Sequence, residues 1–189
     1  MYLRFCEYSL LSLSLSCSIP FTYILTYSNR YGSHYSSLGV PIYFLIRVEP
    51  YTSYAVHLQN GQFDSPGRLF HSVAEAWKNV LKNDSDVKEL IPEFFCQPDG
   101  AFLRNTAHLP LGSRESDGQI LNDVILPPWA NNSPALFVRT MRRAIESEYV
   151  SKHIHNWIDL IFGHKQSGEE AKKANNLFYH LTYAENADM

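Results

Sequence analysis

The sequence predicts a mainly α fold in which long, extended irregular segments pack into the core. Apolar residues recur at helical spacing in several stretches, and Ser-Pro pairs that suit a helix start precede two of them, at Ser65-Pro66 and Ser133-Pro134. Residues 96–130 hold too many helix breakers for a long helix, yet too many large apolar residues for a flexible linker. With 45% hydrophobic and 14% aromatic residues in 189, the chain has enough apolar surface for one folded domain.

The composition argues against several classes of protein. A formal net charge of −3 leaves no basic footprint, so nucleic-acid binding is not expected. The three cysteines, Cys6, Cys17 and Cys96, are too few and too scattered for a disulfide framework, and no C-x-x-C pair supports a thiolate zinc site. We therefore expect reduced thiols in a cytosolic protein.

Residues 1–30 stay unassigned. Leucine and serine alternate from Leu11 to Leu15, as in a half-buried strand. The run also resembles a secretory signal weakly, because Glu7 spoils its basic start and serines interrupt its apolar part. It is too short before Pro20 to span a membrane. A signal peptide is the less favoured interpretation, and an incorrectly predicted gene start explains the segment at least as well.

Three helices are expected before residue 83. The apolar run 40–48 fits a buried strand or a buried helix, and Pro41, which a central strand does not tolerate, favours the helix. A second helix is expected from Pro50 to a stop at Gly61. The third begins at Ser65-Pro66, and its apolar stripe consists of Leu69, Phe70, Val73, Trp77, Val80 and Leu81.

A short helix and a long irregular segment follow. Asp86 and Glu89 have the spacing of a capping box for a very short helix that Pro92 ends. Residues 96–130 are then expected to pack onto the rest of the protein as extended or turn structure, because a loop of this length is usually functional or tightly docked.

The C-terminal part is expected to be helical. A helix starts at Ser133-Pro134, and Ser151 caps a second helix that ends at Gly163. The run 157–162 of this second helix is too apolar for a surface, so it is expected to lie in the core. A last helix is expected to start at a capping box in the stretch Ser167–Glu170.

Two interpretations compete for His155 and Asp159. These residues lie four apart on one face of a helix, as in a metal-ligand pair or in a local hydrogen bond. His153 points about 200° away from His155, and no H-E-x-x-H or similar spacing supplies a third zinc ligand. A structural contact between His155 and Asp159 is therefore favoured. A hydrolase or metal-binding enzyme that uses this pair is the alternative.

No other pattern predicts catalysis. The sequence has no G-x-S-x-G elbow, no P-loop and no G-x-G-x-x-G motif. Ser33 stands beside His34, but adjacency in sequence is not triad geometry. Glu146 and Glu148 fall on different faces of a helix. No catalytic, cofactor-binding or metal-binding residue is therefore assigned.

A set of short motifs, in one order along residues 31–183, is highly specific. The motifs are Tyr31-Gly32-Ser33-His34-Tyr35-Ser36, Arg47-x-Glu49-Pro50-x-Thr52, Phe63-Asp64-x-Pro66-x-Arg68-x-Phe70, the stretch Asp86–Phe95, Asp123-Val124-x-Leu126-Pro127-Pro128-Trp129-Ala130, the stretch Glu146–Ser151, His155-x-Trp157 through Gln166, and Leu181-Thr182-Tyr183. In this set the chain resembles the BEACH domain, the beige and Chediak–Higashi family. It departs from the family pattern at His164, where an aromatic residue is usual, and at Ala184-Glu185, where Glu-Gly is usual.

The resemblance implies a partial BEACH domain over residues 31–189, truncated at both ends, with helices around extended core segments. It also implies a non-enzymatic scaffold or interaction module that acts in vesicle trafficking, membrane dynamics, lysosome-related or autophagy processes. A PH-like domain and WD repeats are the partners expected in the full-length protein, with a cytoplasmic location and peripheral membrane association. No catalytic residue and no cofactor carries over.

Overall fold

The computed structural model of the protein describes residues 38–83, 86 and 88–178, which belong to two compact units. Residues 38–78 and 90–143 belong to the first, which we call the aromatic unit. Residues 79–83, 86, 88–89 and 144–178 belong to the second, which we call the C-terminal unit. The predictions for residues 1–30, and the family motifs at residues 31–36 and 181–183, lie outside the described residues.

The described residues are mainly α-helical. Their helices are α1 Gly39–Leu45, α2 Tyr51–Leu58, α3 Val73–Lys82, α4 Glu93–Cys96, α5 Pro134–Ile145, α6 Glu148–Ile161 and α7 Gly168–Lys173, with 3-10 helices at Pro66–Arg68, Ala101–Leu103 and Pro128–Ala130. Isolated bridges in this part of the chain include Ser72 to Ile125 and Ser113 to Ile120. The predicted fold class is confirmed. None of the described helices is long and apolar enough to cross a membrane.

Phe94 lies at the centre of the aromatic unit. Its ring centroid is 4.9 Å from that of Phe102, 5.0 Å from Phe44, 6.1 Å from Phe137 and 6.2 Å from Phe70. All five side chains are 0–1% exposed, and most of these rings meet edge to face, which the quadrupole of an aromatic ring favours. The rings come from three α-helices and two other segments, so one cluster joins elements that are far apart in sequence.

The irregular segment 96–130 is packed, as the sequence predicts. Its buried apolar residues are Phe102, Leu103, Leu111, Leu121, Val124 and Ala130. Ile125 N–H donates to His71 O at 2.8 Å, and Val73 N–H donates to Ile125 O at 3.1 Å. The segment therefore joins the core through tertiary backbone hydrogen bonds, which satisfy polar groups that a helix would otherwise pair.

α1 and α2 confirm two of the expected helices. α1 runs from Gly39 to Leu45, and Pro41 stands in its first turn, where the missing N–H is not needed. α2 begins at Tyr51, one residue after Pro50. The chain turns away at Gly61, whose φ of +95° suits glycine. Pro50 therefore precedes the helix instead of occupying its first position.

The third expected helix starts later than the sequence predicts. After a 3-10 turn at Pro66–Arg68 the chain is extended, and α3 begins only at Val73. In between, the carbonyls of Phe70 and His71 accept hydrogen bonds from the Arg47 side chain and from a distant backbone N–H. These tertiary bonds take carbonyls that a continuous helix would need, so the predicted start at the Ser-Pro pair is wrong.

The short helix predicted at Asp86 does not form in the described residues around it. Residues 86 and 88–91 are not helical, and the Asp86 carboxylate accepts from the backbone N–H of Lys88 at 3.3 Å and from its ammonium at 2.6 Å. Helix α4 begins instead at Glu93, just after Pro92. An aspartate that bonds two residues ahead stabilises a turn, so the capping-box prediction is wrong.

α5 and α6 occupy the expected helical region but divide it differently. The Ser133 hydroxyl caps α5, as predicted, by accepting a hydrogen bond at 3.2 Å from the N–H three residues on. α6 begins at Glu148 because the Ser147 hydroxyl caps it, accepting from Val150 N–H at 3.3 Å. The predicted cap at Ser151 is therefore wrong.

α7 forms without the predicted capping box. The Ser167 hydroxyl makes no cap hydrogen bond. Glu169 accepts from Lys172 at 2.6 Å, and Glu170 accepts from Lys173 at 2.5 Å. Both carboxylates are thus bonded to lysines three residues ahead, one turn along the helix surface, and these pairs stabilise the predicted helix in place of the capping box.

Candidate interaction surface

Helix α6 carries apolar side chains around much of its circumference. Val150 and Ile161, each 3% exposed, lie on the side that is buried in the C-terminal unit. At about 100° per residue, Ile154, Ile158 and Phe162 follow one another along the edge of that side. The helix therefore has two apolar strips, and only the first is buried.

Ile154, Ile158 and Phe162, which we call the α6 apolar flank, are 37%, 41% and 75% exposed. The Trp157 ring meets Phe162 edge to face with centroids 6.2 Å apart, and its indole N–H donates to Glu89 at 3.4 Å. The sequence predicts that the whole run 157–162 lies in the core, and for Ile158 and Phe162 this is wrong. The apolar arc of α6 is wider than its buried side, and the three exposed side chains are therefore a candidate interaction surface.

His155 and Asp159 are not brought together as the sequence predicts. An Asp159 carboxylate oxygen lies 3.4 Å from His164 Nδ1 and the other lies 3.9 Å from Lys165 Nζ, both in the turn after α6. His155 is exposed, and no hydrogen bond or ion pair joins it to Asp159. Gly163 allows the turn, because a Cβ atom there would come within 2.7 Å of the Asp159 backbone. The predicted glycine stop is therefore confirmed, and the predicted His–Asp contact is wrong.

The described part of the chain holds no group of three or more His, Cys, Asp or Glu side chains placed to bind a metal ion. Ser33 and His34 lie outside that part. The alternative function built on His155 and Asp159 would need nucleophile, base or ligand groups that converge on one point. Within residues 38–83, 86 and 88–178, those two side chains do not converge.

Asn176, which no sequence pattern singles out, ties the end of α6 to the chain after α7. The residue is 3% exposed, and its side-chain amide donates to Leu160 O at 2.8 Å and to Lys165 O at 2.9 Å. The last carbonyls of a helix have no intrahelical donor, so a buried amide that bonds them fixes the helix end. Its partners are backbone atoms 16 and 11 residues away, which no local signal could have revealed.

Asn176→Ala is expected to lower the free energy of unfolding by about 2 kcal/mol, because two carbonyls lose a buried donor. Asp159→Ala is expected to lower it by only about 0.5 kcal/mol, since its side chain is 27% exposed and its cationic partners are 3.4 and 3.9 Å away. Urea denaturation of both variants measures the two values. A loss in Asp159→Ala as large as in Asn176→Ala would contradict this ranking and give the Asp159 contacts a structural weight equal to those of Asn176.

Comparisons with known proteins agree on one family. The family model described as Beige/BEACH domain matches residues 22–189. This chain belongs to the BEACH family. BEACH domain-containing protein B of Arabidopsis thaliana is 56% identical over 153 residues, which are 81% of this chain and 6% of that protein.

Two further relatives show the same relation. BEACH domain-containing protein lvsD of Dictyostelium discoideum is 52% identical over 159 residues, which are 84% of this chain and 5% of that protein. Protein SPIRRIG of Arabidopsis thaliana is 51% identical over 162 residues, which are 85% of this chain and 4% of that protein. The BEACH chain thus spans between 4% and 6% of the length of these three curated relatives.

The BEACH motif that starts at Arg47 forms the corner between α1 and α2. The Arg47 guanidinium donates to two distant carbonyls at 2.7 and 2.9 Å. The Thr52 hydroxyl donates to Ile46 O at 2.8 Å, and the Glu49 carboxylate accepts from the N–H of Ser53 at 3.2 Å. The polar side chains of this motif therefore stabilise the fold through hydrogen bonds to backbone groups.

Proposed function

We propose that this BEACH chain is a non-enzymatic scaffold module in vesicle trafficking, membrane dynamics, lysosome-related or autophagy processes, in the cytoplasm and peripheral to membranes. Membership of the BEACH family supports the proposal. So does the 4–6% of each relative that the chain covers, because a domain in such long proteins has much further polypeptide to dock with. A PH-like domain and WD repeats are the expected partners in the full-length protein.

The exposed α6 apolar flank carries the proposal, and we assign it one occupant, the PH-like segment of the same polypeptide. Ile154, Ile158 and Phe162 form a small patch, whereas a stable complex between separate proteins buries roughly 800 Å² on each partner. A covalently linked neighbour needs less contact area, since the linker supplies a high effective concentration. A partner in the same chain therefore fits a patch of this size better than a separate protein does.

Ile158→Glu is expected to weaken binding of the PH-like segment on the order of tenfold or more, because docking would bury an unpaired carboxylate. Ile158 is 41% exposed, so the free energy of unfolding should change by about 0.5 kcal/mol or less. Isothermal titration with the separately produced PH-like segment measures the affinity, at concentrations of about 1 mM that replace the effective concentration supplied by the linker. Ile120→Glu is the matched control, because it makes the same change at a side chain that is 76% exposed in the aromatic unit.

Two outcomes would count against the proposed function. Equal affinities of Ile158→Glu and Ile120→Glu for the PH-like segment would remove the α6 apolar flank from the docking surface. Stoichiometric zinc in the purified chain, lost in His155→Ala, would contradict a purely scaffolding role and favour the hydrolase or metal-binding alternative.

A further inference from the structure

His71 lies where a helix and a turn meet in the aromatic unit, and its side chain is 8% exposed. Its Nδ1 is 2.8 Å from Leu69 O. Its Nε2 is 2.9 Å from Glu75 Oε2, on α3, and 2.8 Å from Arg114 Nη1. One ring nitrogen thus has an anion and a cation within hydrogen-bond distance.

These three contacts cannot all be hydrogen bonds in one protonation state. A carbonyl only accepts, so the bond to Leu69 requires a proton on Nδ1. In the neutral ring Nε2 is then an acceptor. It can accept a hydrogen bond from Arg114, but its lone pair faces a lone pair of the Glu75 carboxylate. In the charged ring Nε2 is a donor. It can donate a hydrogen bond to Glu75, but its N–H group faces an N–H group of Arg114.

Arg114 anchors the turn formed by residues 112–121, which we call the Arg114 turn. Three backbone hydrogen bonds of 2.8–2.9 Å close this turn. The Arg114 guanidinium also lies 3.1 Å from Glu75 Oε1 and 3.4 Å from Asp117 Oδ2. Arg114 therefore has carboxylate partners that remain when His71 stops accepting from it.

The charged groups that contact the His71 ring come from two elements, Glu75 from α3 and Arg114 from the turn, and Asp117 contacts Arg114 in turn. Partial burial acts to raise the pKa of Glu75, but the hydrogen bond and positive charge of Arg114, joined by those of His71 when its ring is charged, outweigh it and the pKa lies below its ordinary value. Glu75 is therefore ionised throughout the range in which histidine ordinarily changes charge.

We propose that His71 is a proton-operated latch on the Arg114 turn. With the ring neutral, Nε2 accepts from Arg114 and holds the turn against α3. When the ring gains a proton, Nε2 donates to Glu75, and two cationic groups face each other with their nitrogens 2.8 Å apart. Arg114 then leaves the ring and keeps only its contacts to the half-exposed carboxylates of Glu75 and Asp117. The turn is held less tightly in this state, so the latch is closed at neutral pH and open at acidic pH.

Nitrogen NMR of the histidine rings in the unchanged chain tests the closed state. At about pH 7.5 the latch requires a neutral His71 ring with its proton on Nδ1 and a lone pair on Nε2. A proton on Nε2 at that pH, in either a neutral or a charged ring, would overturn the proposal, because Nε2 could not accept from Arg114.

Hydrogen exchange of the unchanged chain tests the opening. Between about pH 7.5 and about pH 5.5, protection of the amides at residues 114, 118 and 121, corrected for intrinsic exchange, should fall on the order of tenfold. The amide of Ala76, in α3, should keep its protection. Unchanged protection of the turn amides, or an equal loss of protection at the Ala76 amide, would contradict the proposal.

His71→Gln removes the ring on which the proposal depends and leaves a side chain that can both donate and accept. Its turn amides should have equal protection at both pH values, whereas His57→Gln, at an exposed position of α2, should behave as the unchanged chain does. A pH-dependent loss that persists in His71→Gln would overturn the proposal. If His71→Gln does not fold, Arg114→Gln answers the same question, because its turn should also lack pH dependence.

Discussion

Replacing Phe94 with alanine is expected to lower the free energy of unfolding of the BEACH chain by about 4 kcal/mol. Phe94 is 1% exposed, and four other phenylalanine rings lie within 6.2 Å of its own. Those rings come from separate elements that are each held by their own backbone, so they cannot collapse into the cavity. Lost edge-to-face pairs add to the effect. Urea denaturation followed by circular dichroism measures it.

Two controls separate the cavity from the general effect of truncation. Phe94→Leu keeps most of the apolar volume and should cost about 1.5 kcal/mol. Phe162→Ala makes the same truncation at a side chain that is 75% exposed, and should change the free energy of unfolding by about 0.5 kcal/mol or less. If Phe94→Ala cost no more than Phe162→Ala, the aromatic cluster could not be the main core of the aromatic unit.

Helix starts that depend on neighbouring residues could be predicted from the sequence. Pro41 in α1 and Ser133 before α5 act on atoms within a few residues, so the proline and capping rules locate both helices. The helix expected at Ser65 fails because a distant group competes for the same backbone. Phe70 O is bonded by Arg47, 23 residues away, and no local rule contains that partner.

At the candidate surface, too, features set by neighbouring residues could be predicted, whereas features set by distant residues could not. Periodicity predicts α6 and its broad apolar side, but which strip is covered depends on side chains from elsewhere. The sequence therefore assigns Ile158 and Phe162 to the core, although both are exposed. Asp159 pairs with His164 and Lys165 because α6 ends at Ile161 and the chain turns back, which counting four residues along a helix cannot anticipate.

Arg47→Met is expected to lower the free energy of unfolding by about 3 kcal/mol. The residue is 4% exposed, and its guanidinium donates to Phe70 O at 2.7 Å and to Asn122 O at 2.9 Å. Burial, partly offset by Asp123 and Tyr43, lowers the pKa of Arg47 to about 10. The group is thus charged at neutral pH, and both bonds are charge-assisted. Methionine would occupy similar space but leave both carbonyls without this donor.

Arg104→Met is the matched control, because Arg104 is exposed in the same unit and its loss should cost about 0.5 kcal/mol or less. Arg47→Lys should fall between the two at about 2 kcal/mol, since one ammonium cannot reproduce the fork that reaches both carbonyls. Urea denaturation at neutral pH ranks the three variants. If Arg47→Lys matched the unchanged chain, charge alone would hold the corner. A lower free energy of unfolding in Arg47→Lys would mean that the forked guanidinium is needed, because the two carbonyls it reaches belong to segments 23 and 75 residues away. The BEACH motif would then join three parts of the aromatic unit.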